Sequence, residues 1–433
     1  MEAAALAARQ SSRPADFAGA GVTGEVLFLA HRIPFPPDRG DKIRSHHILK
    51  ALARLAPVHV GTFADDDQDR DAEAELALTA ASYHVARRTK PLAIAGLQAL
   101  ATRRPVSLPA FADSALRAFV RRTVAARPIV TIYAFSSQMA QYIPAGFRGR
   151  VVIDFVDVDS AKFEAYAAQA DRPLKTIYAR EARLLRTYEA EAAKRADLSL
   201  LVTDEEAALF RSRLDPATRG ACDVRSLGNG IDCSAFSATF VDRAPELAQP
   251  GGPHLLFTGQ MDYPPNVAAV VRFASRIMPA IRERRPEARF HIVGREPAAA
   301  VIALDGRTGT SVWGRVEDTR PWLAGADLVV APLEIARGVQ NKVLEAMAMG
   351  RPVLVSPGAA TGIAAREGVH LAIADSDAAF IASALALLAA PQACAAMGFA
   401  ARQFVSDHQS WPAMLADLPE IAGVRPAGIR DAA

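Results

Sequence analysis

The chain has 433 residues, 51% of them hydrophobic and 22% charged, with a formal net charge of +3. That length exceeds one usual core, so two domains are the default, and the apolar content is ample for both. A charge this close to balance gives no electrostatic case for a nucleic-acid partner, and Cys222, Cys233 and Cys394 lack metal-ligand or paired spacing, which suits a reducing, cytoplasmic compartment. No apolar run reaches the roughly 20 residues of a membrane span; "IASALALLAA" is about half that and is followed by Pro391.

Residues 1–23 lack the charged and apolar order of a signal peptide and read as a flexible tail. "EVLFLA" then predicts a strand, followed by the Pro/Gly loop "HRIPFPPDRGDKIR", the helical pattern "SHHILKALARLA" and the strand "PVHVGTFA". Further strands are expected at "SYHVA", "PIVTIYAF", "RVVIDFV" and "LSLLVT", with helices between them, which is a doubly wound α/β domain over 24–235. The acidic run "ADDDQDRDAEAE" reads as a solvated loop and helix start. A Pro/Ala/Gly-rich stretch, "VDRAPELAQPGGP", opens a second domain, 236–400. There "LLFTG", "ARFHIVG", "TSVWGRV", "DLVVAPLE" and "RPVLVS" alternate with helical patterns, as buried parallel strands do. Residues 401–433 are expected to form a helix crossing back toward the first domain, then a tail. The fold class expected is α/β, two Rossmann-like doubly wound domains facing across a cleft.

In open parallel sheets ligands bind beyond the carboxyl ends of strands, where loops feed helix N-termini. In the first domain Gly40 permits close backbone approach, with Arg39, Lys42 and Arg44 around it. That suits a phosphate or a plain structural turn. In the second domain "ARGVQNKVLEAMAMGRPVLVS" predicts a helix over about 339–349 with a Gly350 stop. Val343, Leu344, Met347 and Ala348 form its apolar stripe, leaving Lys342, Glu345 and Met349 on another face. Lys342 in the first turn opposes the helix dipole, at a cost of about 0.3–1 kcal/mol. A solvated Lys/Glu pair is one reading. The other is a nucleotide site, with a diphosphate held by Lys342 and the amides of Val339, Gln340 and Asn341, and a ribose diol by Glu345 one turn deeper.

The segment resembles the donor-binding motif of family 4 glycosyltransferases, the retaining GT-B enzymes, through Gly338, Lys342, Glu345, Ala346, Met347, Ala348, Gly350, Pro352 and Val353. "NGID", "FTGQMDYPPN", "HIVG", "WGRVED" and "ADLVVAPL" follow in family order. "HRIPFPPDRGDKIRSHHILKAL" and "IDFVDVDSAKF" look closest to the sugar transferases associated with PEP-CTERM/exosortase exopolysaccharide clusters. The resemblance implies that Glu345 binds ribose and that Lys342, with the amides from Gly338 to Asn341, binds diphosphate. Gly40 and its loop would close on the phosphates, Arg315 and Val316 would lie beside the base, and Gly259 would admit the donor. Two departures stand out. Where many members have a glutamate contacting the sugar, this chain has Arg337, with Glu334 nearby. Where many carry an Arg and a Lys after the linker strand, it has Gln260 and Asp262, so Lys342 with Arg39, Lys42 or Arg337 would carry the phosphate charge.

Asp157 and Asp159 match a metal-binding D-x-D of the other large transferase fold, but they follow a late strand of a two-domain chain. The competing readings are an acceptor-side carboxylate at Asp157 and a helix N-cap at Asp159 or Ser160. His31, His46 and His47 flank the first loop and read as structural or as contacts to a substrate. A basic run with Arg103, Arg104, Arg117, Arg121, Arg122 and Arg127 around apolar positions fits a solvated face or an anionic lipid surface.

The implied activity is transfer of a sugar from a nucleotide-diphosphate sugar to a lipid-linked or oligosaccharide acceptor of an exopolysaccharide with retention of configuration. It needs no metal or other cofactor and takes place in the cytoplasm or at the inner membrane face. The alternatives are a nucleotide-sugar epimerase, a dinucleotide-dependent Rossmann enzyme, which the lack of G-x-G-x-x-G disfavours, and an inactive nucleotide-binding partner in polysaccharide assembly.

Overall fold

The computed structural model describes residues 24–248, 251–334 and 339–424. The chain divides into two compact units, one formed by residues up to Asn229 together with the segment from Leu415, the other running from Gly230 to Met414. Each has its own apolar core.

The first unit holds a seven-stranded parallel sheet in the order β3-β2-β1-β4-β5-β6-β7. Its strands are β1 (Glu25–Ala30), β2 (Val58–Ala64), β3 (Ser82–Arg87), β4 (Ile129–Phe135), β5 (Arg150–Val156), β6 (Leu198–Leu201) and β7 (Val224–Ser226). The first six stand where apolar runs predict them. β7 spans three residues, "VRS", too short to carry a periodic signal. Among the helices are α1 (Gly40–Leu55), α2 (Leu92–Thr102), α3 (Ser114–Ala126), α4 (Asp159–Gln169) and α5 (Leu174–Arg195). Strand β1 is wholly buried from Val26 to Ala30, with β2 and β4 as its neighbours, which explains its unbroken apolar run.

The second unit holds a six-stranded parallel sheet in the order β10-β9-β8-β11-β12-β13. Its strands are β8 (His254–Thr258), β9 (Arg289–Val293), β10 (Thr310–Gly314), β11 (Leu328–Ala331), β12 (Val353–Val355) and β13 (Ala372–Ile373). The two-residue β13 is not visible in the sequence pattern. Helices α6 (Pro264–Arg272), α7 (Asn341–Ala348), α8 (Asp377–Ala389) and α9 (Pro391–His408) belong to the same unit. Helix α9 ends before the division at Met414, so the expected crossing helix from 401 belongs to the second unit. A close backbone approach fixes it there, since a Cβ on Gly398 would lie 2.1 Å from the Gly350 carbonyl oxygen. The return is made by the shorter segment from Leu415. The Ile421 and Ala422 carbonyls accept hydrogen bonds from Arg150 Nε at 2.7 Å and Thr131 Oγ1 at 2.6 Å.

The acidic run is not uniformly solvated. Asp69 is buried and accepts a 2.6 Å hydrogen bond from Lys42 Nζ. Among the described residues no single helix is long and apolar enough to cross a membrane.

Candidate functional site

In the second sheet the strand order reverses between β8 and β11, and a ligand crevice is expected beyond their carboxyl ends. Strand β8 runs directly into Gly259, which sits at φ +157° and donates its amide to the Val293 carbonyl at 3.0 Å. A Cβ on Gly259 would lie 2.9 Å from Asn266 Nδ2 and 3.0 Å from Lys342 Nζ. Gly294, just after β9, packs so closely that its own Cβ would overlap the Gly259 carbonyl oxygen at 1.5 Å. Only glycine fits at position 294, and at 259 any side chain would be strained and would press on Asn266 and Lys342.

Helix α7 follows the loop after β11 and is shorter than the sequence predicts, Asn341–Ala348, with Gln340 as its N-cap residue. Its apolar stripe is buried as expected, and so are Ala346 and Met349; Met349 does not share an open face with Lys342 and Glu345. A helix buried nearly all round explains why amphipathicity understates its packing. It stops at Gly350, whose φ of +67° closes a Schellman turn: Gly350 N–H donates to Met347 O at 2.9 Å and Arg351 N–H to Ala346 O at 3.0 Å.

Lys342 and Glu345 are therefore held in a tight apolar frame. Lys342 Nζ donates to Asn266 Oδ1 at 2.6 Å and lies 4.4 Å from the centroid of the Phe257 ring, a cation–π arrangement. Burial pushes its pKa down to about 8, with Glu345 opposing the shift. Burial raises the Glu345 carboxyl, with Lys342 opposing in turn. No hydrogen bond from a described residue reaches that carboxylate. This ammonium and this carboxylate are both short of compensation, the state expected of groups that meet a polar ligand.

Two further residues of this frame lie outside the sequence-predicted set. Asn266, buried on α6, bridges the site by donating Nδ2 to the Gln260 carbonyl at 2.8 Å while accepting from Lys342. Arg295 follows Gly294 and donates Nη2 to Gln260 Oε1 at 3.0 Å, while its carbonyl accepts the Met261 amide at 2.9 Å. Arg295 is exposed, and no acidic described residue pairs with it. Its only sequence signal is its place after the "HIVG" strand. Asp262 is exposed, and Gln260 serves as the acceptor for Arg295.

The other residues expected on the donor side are spread more widely. Val339 packs against the core, and a Cβ on Gly362 would meet its Cγ2 at 2.9 Å; Asn341 is the exposed first residue of α7. Arg337 and Gly338 lie outside the described residues. Glu334 is exposed and pairs with Arg272 at 3.6 Å. Arg315 and Val316 follow β10, the outermost strand of the sheet. Arg315 is exposed, and Val316 packs on the core.

In the first unit Gly40 opens α1, and nothing lies within 4 Å of where its Cβ would be. Arg39 stays half-exposed, but Lys42 and Arg44 do not face an incoming phosphate. Each is only 1% exposed, Lys42 held by Asp69 and Arg44 by Asp154 at 3.0 Å and the Asn229 side chain at 2.9 Å. A buried cation needs a buried anion, and these pairs are structural. His31 stacks on Phe135 and meets Asp41 Oδ2 through Nε2 at 3.1 Å, while His46 Nδ1 contacts the Pro34 carbonyl at 3.1 Å.

Asp157 is exposed at the end of β5, immediately after Val156, whose φ of +69° is strained for a β-branched residue. Burial raises the Asp159 carboxyl, relieved by Lys162 and raised further by Asp157. Neither Asp159 nor Ser160 caps α4: Val158 occupies the N-cap position, and Glu189 from α5 accepts the Ser160 amide at 2.9 Å, with its own pKa raised to about 7 mainly by burial. A carboxylate from another helix does the work expected of a local cap. Among the described residues no three His, Cys, Asp or Glu side chains converge as a metal site.

Residues 252–390, which contain this whole frame, match the family model described as Glycosyl transferases group 1. No match is found among curated proteins. Several solved structures share the fold across nearly the whole chain. Sucrose-phosphate synthase from Thermosynechococcus elongatus superposes with a TM-score of 0.58 at 15% identity, covering 92% of this chain and 98% of its own. Anabaena HepE in complex with UDP gives 0.59 at 15% identity, with 92% and 98% covered. WaaG, a glycosyltransferase involved in lipopolysaccharide biosynthesis, gives 0.55 at 18% identity, with 92% and 100% covered. The two parallel-sheet Rossmann-like domains are thus those of the GT-B fold, and the second carries the sequence pattern of glycosyl transferases group 1.

Proposed function

We propose that the protein is a retaining glycosyltransferase that moves a sugar from a nucleotide-diphosphate donor to a lipid-linked or oligosaccharide acceptor of an exopolysaccharide, at the inner face of the cytoplasmic membrane. The observation that carries the reading is the under-compensated pair Lys342 and Glu345, set at the switch point of the second sheet beside Gly259 and Asn266. Solved complexes of the HepE fold relative with UDP and with UDP-glucose support a nucleotide-sugar donor.

In such a transfer positive charge develops on the sugar as negative charge builds on the departing diphosphate. Lys342, the N-terminal amides of α7 and Arg295 meet that growing charge, where fixed electrostatic stabilisation is most effective. Arg295 takes over for the basic residues in whose place this chain has Gln260 and Asp262. Glu345 accepts from the ribose diol, and Gly259 leaves room for the phosphates. Val339, Gln340, Gly338 and Arg337 complete the donor loop, with Arg315 and Val316 toward the base. On the acceptor side, Asp157 orients the attacking hydroxyl, and Gly40 with Arg39 contributes to phosphate binding. The departing phosphate can take the hydroxyl proton, so no strong protein base is required and no metal enters the scheme.

The test is donor turnover with and without a membrane-lipid acceptor extract, in chelator. Turnover of a nucleotide sugar that depends on the extract is the expected result. Epimerisation without acceptor, binding without turnover, or activity that returns only with Mn²⁺ would overturn the reading, the last by reviving Asp157 and Asp159 as ligands.

A further inference from the structure

Helix α2 is built inside out. Its 11 residues, LAIAGLQALAT, include no charged side chain, and the residues it buries are the small Ala95 and Ala99. Its large apolar side chains face solvent: Leu92 is 70% exposed, Ile94 47%, Leu97 68% and Leu100 60%. An ordinary surface helix does the reverse, turning leucines inward and polar groups outward. Helix α3, in the same basic run, is ordinary: it buries Leu116, Phe119 and Val120, and Arg117 donates to the Gln141 carbonyl at 3.1 Å. Within that basic run the unusual face thus belongs to α2 and not to α3.

Beside α2 lies the start of α5. Arg180 Nη2 donates to the Ala99 carbonyl at 2.8 Å, tying the two helices together, and in the turns before it α5 exposes Leu174 at 50% and Ile177 at 52%. Isolated exposed leucines are commonplace; six large apolar side chains on two joined helices are not. The rim is cationic. From Arg88 to Ala112 the sequence has no acidic residue, and Arg103 and Arg104 follow α2 directly. Arg172 and Lys175 flank Leu174, with Asp171 as the one exposed acid of that stretch, and none of these four cations forms an ion pair with a described residue.

We propose that α2 and the start of α5 form a docking face for a bilayer that carries anionic lipid headgroups, the leucines entering the acyl boundary and the four cations meeting the phosphates. The charge argues for this occupant over a second copy of the chain, since two cationic rims brought face to face would repel. An apolar face with basic residues beside it is what peripheral lipid binding requires, and its strength has an area part and a salt-sensitive part. This inference deepens the membrane-face reading above. It is tested without nucleotide sugar, so lipid binding and donor binding can fail separately.

The experiment is co-sedimentation of the full chain with vesicles of phosphatidylcholine alone or mixed with phosphatidylglycerol. The wild type should partition onto the mixed vesicles and come off progressively with salt. Leu97→Asp/Leu100→Asp, at exposed positions that the fold does not use, should lower the partition coefficient by about tenfold or more. Arg103→Glu/Arg104→Glu should abolish the preference for the mixed vesicles. The proposal is overturned if the wild type stays in solution with both vesicles at low salt, or if Leu97→Asp/Leu100→Asp dissolves a dimer while leaving vesicle binding intact.

Discussion

Replacing Lys342 by methionine should move stability and ligand binding in opposite directions. The folded protein holds this ammonium with a pKa of about 8 against an ordinary 10.5, chiefly because it is buried. At 1.36 kcal/mol per unit, keeping it charged at neutral pH costs the fold about 3 kcal/mol. Methionine keeps the apolar stem over the Phe257 ring but gives up the bond to Asn266, a loss of about 1–2 kcal/mol. Lys342→Met should thus be about 1–2 kcal/mol more stable at pH 7.

The sign follows from proton binding. The unfolded lysine keeps its proton up to its ordinary pKa while the folded one loses it near 8, so the wild type gains stability as pH rises between those values. Between pH 8 and 9.5 the mutant's advantage should shrink by about 2 kcal/mol. Trp313, Trp322 and Trp411 all lie in the second unit, so urea unfolding followed by tryptophan fluorescence reports that unit. Diphosphate affinity should fall as the fold strengthens. A mutant destabilised by more than about 1 kcal/mol with unchanged diphosphate binding would instead make Lys342 part of a structural pair.

Three other substitutions probe the same frame. Glu345→Gln should weaken a ribonucleoside diphosphate by about 1–3 kcal/mol and leave pyrophosphate nearly unaffected in calorimetry; equal losses on both would contradict the ribose role. Gly259→Ala puts a methyl against the Asn266 amide and the Lys342 ammonium at a φ of +157°, and should cost about 1–2 kcal/mol of stability in urea and at least about tenfold in diphosphate affinity. Arg295→Gln should weaken diphosphate binding by about 1 kcal/mol and flatten its salt dependence, with no change in melting temperature beyond a degree or two, as for an exposed cation. An unchanged salt dependence would remove Arg295 from the phosphate site.

Most of the fold was legible because buried parallel strands read as unbroken apolar runs: eleven strands stand on predicted segments, and β7 and β13 were missed for want of length. Helix α7 was legible through its apolar stripe and the Gly350 stop. Its limits were tertiary: burial of Met349 and Ala346 follows from neighbours, not from period. Charge was the least readable property. Lys42 and Arg44 look like Arg39 in sequence, yet Asp69 and Asp154, 27 and 110 residues away, draw them into the interior. The same blindness hid Asn266, which meets Lys342, 76 residues along the chain, and Arg295, which meets Gln260, 35 residues away. Helix α2 shows the converse. Its apolar positions read as part of a basic surface run, and only the structure reveals that the alanines face inward and the leucines outward.

The most direct measurement is calorimetric binding of UDP, GDP, ADP and NAD to the wild type and Lys342→Ala, with chelator present. One nucleoside diphosphate should bind, and the mutant should lose about 1.5–3 kcal/mol of that affinity, as for a charge-assisted hydrogen bond. Equal affinity in the mutant, or binding of NAD alone, would contradict the proposed donor site.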